Sequence, residues 1–250
     1  MEARRANESQ KGGFPDTRLT ALAAISSSDE RVRAQGLETL AAAYWMPIYK
    51  YIRLKWNKPP DAAEDLTQSF FAEALEKRFF EKYDPSKARF RTFLRVCLDG
   101  FIANQQKSAG RLKRGGGLQI DTLDFQGAEQ QLSNARVAIP SSMDDFFERE
   151  WIRCLFSLAV RSLQQQFTRS GKDVHFQLFQ RYSVDRSEGA EWLTYAELAA
   201  EFSLPVTTVT NYLAAARRDF KRVLLEKLRD LTVNDEEFRR EARSLFGQDR

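Results

Sequence analysis

Cysteine and histidine are scarce in this sequence, with Cys97, Cys154 and His175 as the whole complement. Two separated thiols and one imidazole cannot build a four-ligand zinc site, so no metal is expected. Both cysteines fall inside helical apolar patterns and read as buried thiols in a reducing cytoplasm. His175, in Val174-His175-Phe176-Gln177, has no catalytic partner in view and fits a helix-surface or core position better than a general base. Long apolar runs are missing too. Nothing nears the ~18 residues needed to cross a bilayer, and Met1-Glu2-Ala3-Arg4-Arg5 lacks the apolar stretch of a secretory signal. No membrane association and a cytoplasmic location are therefore expected. Phosphate loops are absent as well: Gly115-Gly116-Gly117 is not followed by lysine and serine, and no G-x-G-x-x-G pattern occurs. With no defensible pair of catalytic carboxylates either, the expectation is a protein that is not an enzyme and uses no cofactor. Strand-type alternation, internal repeats and low-complexity tracts are also lacking, which leaves an all-α fold.

What is present is helical amphipathicity, interrupted in a few places. The 42% hydrophobic content of 250 residues is enough for real cores, and two small helical domains are the natural division at this length. Residues 1–16 are polar, contain Gly12-Gly13 and Pro15, and read as a disordered tail. A first domain is expected over 17–117. There Leu37, Leu40, Ala41, Tyr44, Trp45, Ile48 and Ile52 recur at three- and four-residue spacing, with Pro47 as a candidate break. After Pro59-Pro60 a helix should start at Asp61, with Glu64 completing a capping box; a further helix should bury Phe90, Phe93, Leu94, Cys97, Phe101 and Ile102. Residues 118–144 mix Gly, Gln, Ser, Asn and Asp without period and read as a flexible linker. A second helical domain is expected over 145–232, followed by a C-terminal tail over 233–250.

The strongest motif lies in that second domain. Thr194 and Glu197 have the spacing of a capping box on a short helix through Phe202, Ser203-Leu204-Pro205 reads as a turn, and a long helix follows to about Leu228. Ser203 takes a turn position where glycine is common, and a left-handed non-glycine residue there costs ~1 kcal/mol. With 100° per residue and Val209 at the centre of the buried face, Leu213, Ala216, Phe220 and Val223 share that face. The opposite face carries Thr207, Asn211, Ala214, Arg218 and Arg222, flanked by Ala215 and Lys221, with Arg217 to one side. Asparagine and arginine match adenine and guanine edges in the major groove, threonines reach phosphates or bases, and alanines permit close approach. The pattern is a helix-turn-helix suited to duplex DNA; the alternative for any basic helix is a merely solvated face.

Two further surfaces differ in sign. Asn104-Gln105-Gln106-Lys107 through Arg111, Lys113 and Arg114 is basic and rich in amides, and Arg89, Arg91 and Arg95 interleave upstream with Phe90 and Phe93. Such mixtures hold melted strands by phosphate pairing and base stacking, although each phenylalanine equally fits a core. In contrast, Asp61, Glu64 and Asp65, with Gln68, cluster at the start of one helix and would repel DNA. They fit a basic protein partner, or simply the helix dipole.

Taken together, three segments resemble the extracytoplasmic-function sigma factors of bacterial RNA polymerase. Asp61-Ala62-Ala63-Glu64-Asp65-Leu66-Thr67-Gln68-Ser69-Phe70-Phe71 is similar to the family's polymerase-binding helix, Arg89 to Arg114 to its minus-ten element reader, and Thr194 to Arg222 to its minus-thirty-five reader. The resemblance implies core RNA polymerase as a partner through Asp61, Glu64, Asp65, Gln68 and Phe71. It implies contacts to melted minus-ten DNA from Arg89, Arg91, Arg95, Asn104, Gln105, Lys107, Arg111, Lys113 and Arg114. Duplex minus-thirty-five DNA would meet Thr207, Thr208, Asn211, Arg217, Arg218, Lys221 and Arg222, and the family leaves room for an anti-sigma factor. A stand-alone helix-turn-helix regulator, or a polymerase-interacting module without promoter choice, are the alternatives left open.

Overall fold

Most helices of this protein begin where a side chain can accept from the first free amides. In the computed structural model, which describes residues 20–108, 123–134, 142–185 and 193–247, every described element is helical. Thr20 caps α1 (Ala21–Ile25) and Asp29 caps α2 (Glu30–Lys55). Helix α3 (Pro60–Glu76) departs from expectation: it starts one residue early, because Pro60 fits the first helical position, and Pro59 at its N-cap offers no side-chain acceptor. The Asp61–Glu64 capping box is therefore not formed, and Asp61 lies in the first turn. A 3-10 turn (Phe79–Lys82) leads to α4 (Phe90–Ser108), followed by α5 (Phe125–Asn134) and α6 (Met143–Arg169), which Ser142 caps. Helix α7 (Asp173–Phe179) runs into a wide turn over 180–184, and α8 (Tyr195–Glu201), α9 (Val206–Asp230) and α10 (Asp235–Phe246) complete the order.

Helix α2 is the centre of the core. Pro47 does not end it, although an interior proline removes one backbone hydrogen bond; burial on nearly all sides from Leu40 to Ile52 holds the helix together. Helix α1 crosses it at Gly36, where a Cβ would come within 2.7 Å of the Ala21 carbonyl oxygen. Helix α6 packs along it, with Trp151 stacked on Tyr44 at 6.2 Å and Phe147 edge-on to Tyr51 at 5.6 Å. Between them Lys50 and Glu150, both buried, pair at 2.6 Å, and Lys50 also donates to Gln131.

Two stretches expected to lack structure are helices. Residues 125–134, inside the supposed linker, form α5, because Phe125 wedges against Trp45 and Tyr49 and Ala128 is fully buried. Arg53 fixes α5 from the side through Glu129, whose carboxyl lies below its ordinary value chiefly because of that Arg53 hydrogen bond. Residues 235–246, inside the supposed tail, form α10, capped by Asn234. The main hydrophobic cluster also takes residues from both sides of 118–144, joining α1 to α4 with α6, α7 and the second half of α9. A separate small cluster, Leu178, Leu198, Ala199, Val209 and Leu213, holds α8 and the start of α9 to α7. Among the described residues no helix is long and apolar enough to cross a membrane.

Candidate functional site

The segment from α8 to α9 is built locally as its sequence suggests. The Thr194 hydroxyl accepts from the Glu197 amide while the Glu197 carboxylate accepts from the Thr194 amide, so both halves of the capping box are present. Accepting from the Thr194 amide, and from its hydroxyl as well, holds the Glu197 carboxyl below its ordinary value. Ser203 takes a left-handed φ of 52°, which turns the chain between the helices. Pro205 is the N-cap of α9, one position before the first-turn site expected for it.

Val209, Leu213, Ala216 and Val223 are buried, while Phe220 is half-buried between Phe156 and Phe179. On the opposite face Thr207, Asn211, Arg217, Arg218, Lys221 and Arg222 are exposed and Thr208 is half-buried. Their surroundings differ. Arg217 donates to the Tyr195 hydroxyl and lies over the Tyr182 ring, and Lys221 lies 5.3 Å from the Phe246 ring of α10. Arg222 is shared between Asp219 at 3.7 Å and Glu226 at 2.8 Å, so this face is not wholly without carboxylates. Arg218 pairs with no carboxylate among the described residues and opens onto a groove of about 420 Å³. That groove runs along α9 as far as Arg229 and is lined from α10 by Phe238.

The arginines at the start of α4 are in another condition. Arg91 is only 5% exposed, is paired with Glu148 at 2.7 Å and with Glu241, and has its guanidinium 4.5 Å from the Trp151 ring centre. Burial works against its charge, but the Glu241 and Glu148 carboxylates more than offset that and hold it above its ordinary value. Arg89 contacts the same two glutamates, and Arg95 pairs with Asp144 at 2.9 Å and Asp99 at 3.4 Å. As folded here, Arg91 presents no free guanidinium, which corrects the picture of an open cationic face. Phe90 is core, edge-on to Tyr44, and Phe93 is half-buried. Asn104 and Lys107 are exposed and Gln105 is half-buried near the end of α4. Arg111, Lys113 and Arg114 lie outside the described residues.

On α3, Asp61 and Asp65 are exposed and Glu64 and Gln68 half-buried. Their positions fall within about two turns and share one end of the helix. Phe71 is a correction: it is fully buried and packs against Phe70 at 5.8 Å, so it holds α3 in the core and cannot meet a partner.

Sequence reasoning missed Glu148 and Glu241, the carboxylates that hold Arg89 and Arg91, and Glu237, which accepts from the Tyr83 hydroxyl. A signal existed for α10: Asn234 and Glu237 have N-cap spacing, and Phe238, Ala242 and Leu245 recur at helical intervals. No family model, curated protein or solved structure matches the chain.

Proposed function

We propose that this protein is an alternative sigma subunit of the extracytoplasmic-function type, which binds core RNA polymerase and directs it to particular promoters. The observation that carries this reading is the exposed row Thr207, Asn211 and Arg218 on α9, presented behind a capped helix and a tight turn. In this reading α8 and α9 are a helix-turn-helix, and that row enters the major groove at the minus-thirty-five element while Arg217, Lys221 and Arg222 approach phosphates. The exposed carboxylates of Asp61 and Asp65 lie on a different element and have the sign for a basic polymerase surface. Two weak contacts on one chain raise avidity through effective concentration, so neither needs to be tight alone.

A second reading, a stand-alone helix-turn-helix regulator, draws support from the internal pairing of Arg89, Arg91 and Arg95, which leaves α9 as the open cationic helix. Co-purification with bacterial core RNA polymerase and run-off transcription separate the two. The sigma reading expects retention and new start sites, and expects both to be lost in the D61K/D65K variant while the helical circular-dichroism signal is kept. Arg218→Ala is expected to weaken specific duplex binding by about 1–3 kcal/mol. Failure to associate with polymerase would leave only the regulator.

A further inference from the structure

Helix α10 is anchored in an unusual way. Its fully buried residues are Glu237 and Glu241, the type of side chain a helix ordinarily keeps in water, while Phe238, Ala242 and Leu245 are only half-buried and Phe246 is 42% exposed. The helix holds the segment from Tyr83 to Arg91 by polar contacts, while Phe238, Ala242 and Leu245 pack against the main hydrophobic cluster. Glu241 accepts from Arg91 and faces Arg89, Glu237 accepts from the Tyr83 hydroxyl, the Ser244 hydroxyl accepts from Arg89, and Arg240 donates to the Pro85 carbonyl. The joint is imperfect. Among the described residues four buried side-chain polar atoms have no hydrogen-bond partner: Arg91 Nε, Arg240 Nε, Glu241 Oε1 and Trp151 Nε1. Three belong to this joint, and the fourth is on the indole beneath Arg91. Such atoms oppose the burial that creates them. Val233 and Asn234, between buried Thr232 and the start of α10, are exposed, and release would break the Arg229–Asp235 pair and the packing of Phe238 as well as the polar joint.

We propose that α10 is a displaceable internal ligand of the arginine face of α4, and that single-stranded DNA takes its place. The chemistry of exchange is direct: guanidinium groups that hold paired carboxylate oxygens hold phosphate oxygens in the same manner. Departure of α10 would take Glu241 from Arg89 and Arg91, leaving Glu148 of α6 as the one carboxylate they share, and would open the Tyr83 edge, whose ring packs on Phe93 at 5.4 Å. Cations beside an aromatic ring are the elements of a single-strand platform. The proposal rests on the reading of α4 as a strand-binding helix and adds that the chain's own C-terminal helix competes for it.

The test uses full-length protein and a fluorescein-labelled mixed-sequence single strand of about 20 nucleotides, longer than one binding site. By anisotropy the E237Q/E241Q variant is expected to bind about tenfold more tightly than the parent. Its log–log salt dependence should steepen by about 1.4, the increment for two further phosphate contacts. Adding R89A/R91A to that variant should remove the gain. Independently of any variant, amide hydrogen exchange in 235–246 of the parent should rise when the strand binds. Equal affinity of parent and variant, with α10 still protected in the bound state, overturns the latch while strand binding stands. No binding by either protein, with α10 of the variant exchanging freely, overturns strand binding by α4 and the latch with it. A gain that survives R89A/R91A, or that appears equally for poly-glutamate, also overturns the proposal, because the ligand then lies elsewhere or is acidic protein.

Discussion

Helices α4 and α9 are both rich in arginine, and the surroundings of those arginines are opposite. On α4, Arg89, Arg91 and Arg95 are each held by carboxylates that arrive from α6, from α10 or from Asp99. On α9, Arg217 and Arg218 are exposed and pair with no carboxylate among the described residues, Arg222 meets two carboxylates of its own helix, and Arg229, near its end, meets Asp235 of α10. The residue type is the same; the difference is whether other elements bring charge to it. A basic run in a sequence therefore reports available cations on α9 and consumed ones on α4.

This contrast can be tested through stability, starting with the change of largest effect. Lys50→Ala would leave the buried Glu150 carboxylate with only the largely exposed Arg153 as an ion-pair partner and should cost about 3–5 kcal/mol in urea unfolding. Arg218→Ala, on the open face, should stay within about 0.5 kcal/mol of the parent in the same assay. A comparable loss at Arg218 would erase the distinction between held and open cations. Arg91→Ala should fall between them, at about 1–3 kcal/mol. Its partner Glu241 can return to water if α10 lifts away, an exit that Glu150, in the middle of α6, does not have.

The smallest effect expected is a pH dependence at α5. Arg53 lowers the Glu129 carboxyl from its ordinary value of 4.5, so the folded form favours the charged group. Stability from this pair is complete above the unfolded value and is lost as the pH falls through the lowered folded one. The pair is partly solvated, so Glu129→Gln should cost about 1 kcal/mol at neutral pH, with the difference from the parent shrinking in acid. A difference that persists unchanged at pH 3 would show that the carboxylate charge is not what fastens α5.

Local features of the fold were legible wherever neighbouring residues decide them. The capping box of Thr194 and Glu197, the left-handed Ser203, the buried stripe of α9 and the amphipathic pattern of α2 all depend on residues within a few positions of one another. Phe71 was misassigned to a surface because its helix has apolar positions on more than one side, and pattern alone does not say which side faces the core. Helix α5 escaped notice because its ten residues carry few apolar side chains, and what orders them is Arg53 and the aromatic rings of α2, more than seventy residues away in sequence.

By itself the sequence determined that the described elements are helical, where α8 begins and turns into α9, and which face of α9 points outward. These follow from backbone propensity, capping and periodicity, all of which act over a turn or two. Only the tertiary structure decided which charges remain available. Glu241 lies 150 residues from the Arg91 it neutralises and Glu150 lies 100 residues from Lys50. Electrostatic attraction depends on distance in space and on burial, and neither is written in the spacing of residues along a chain.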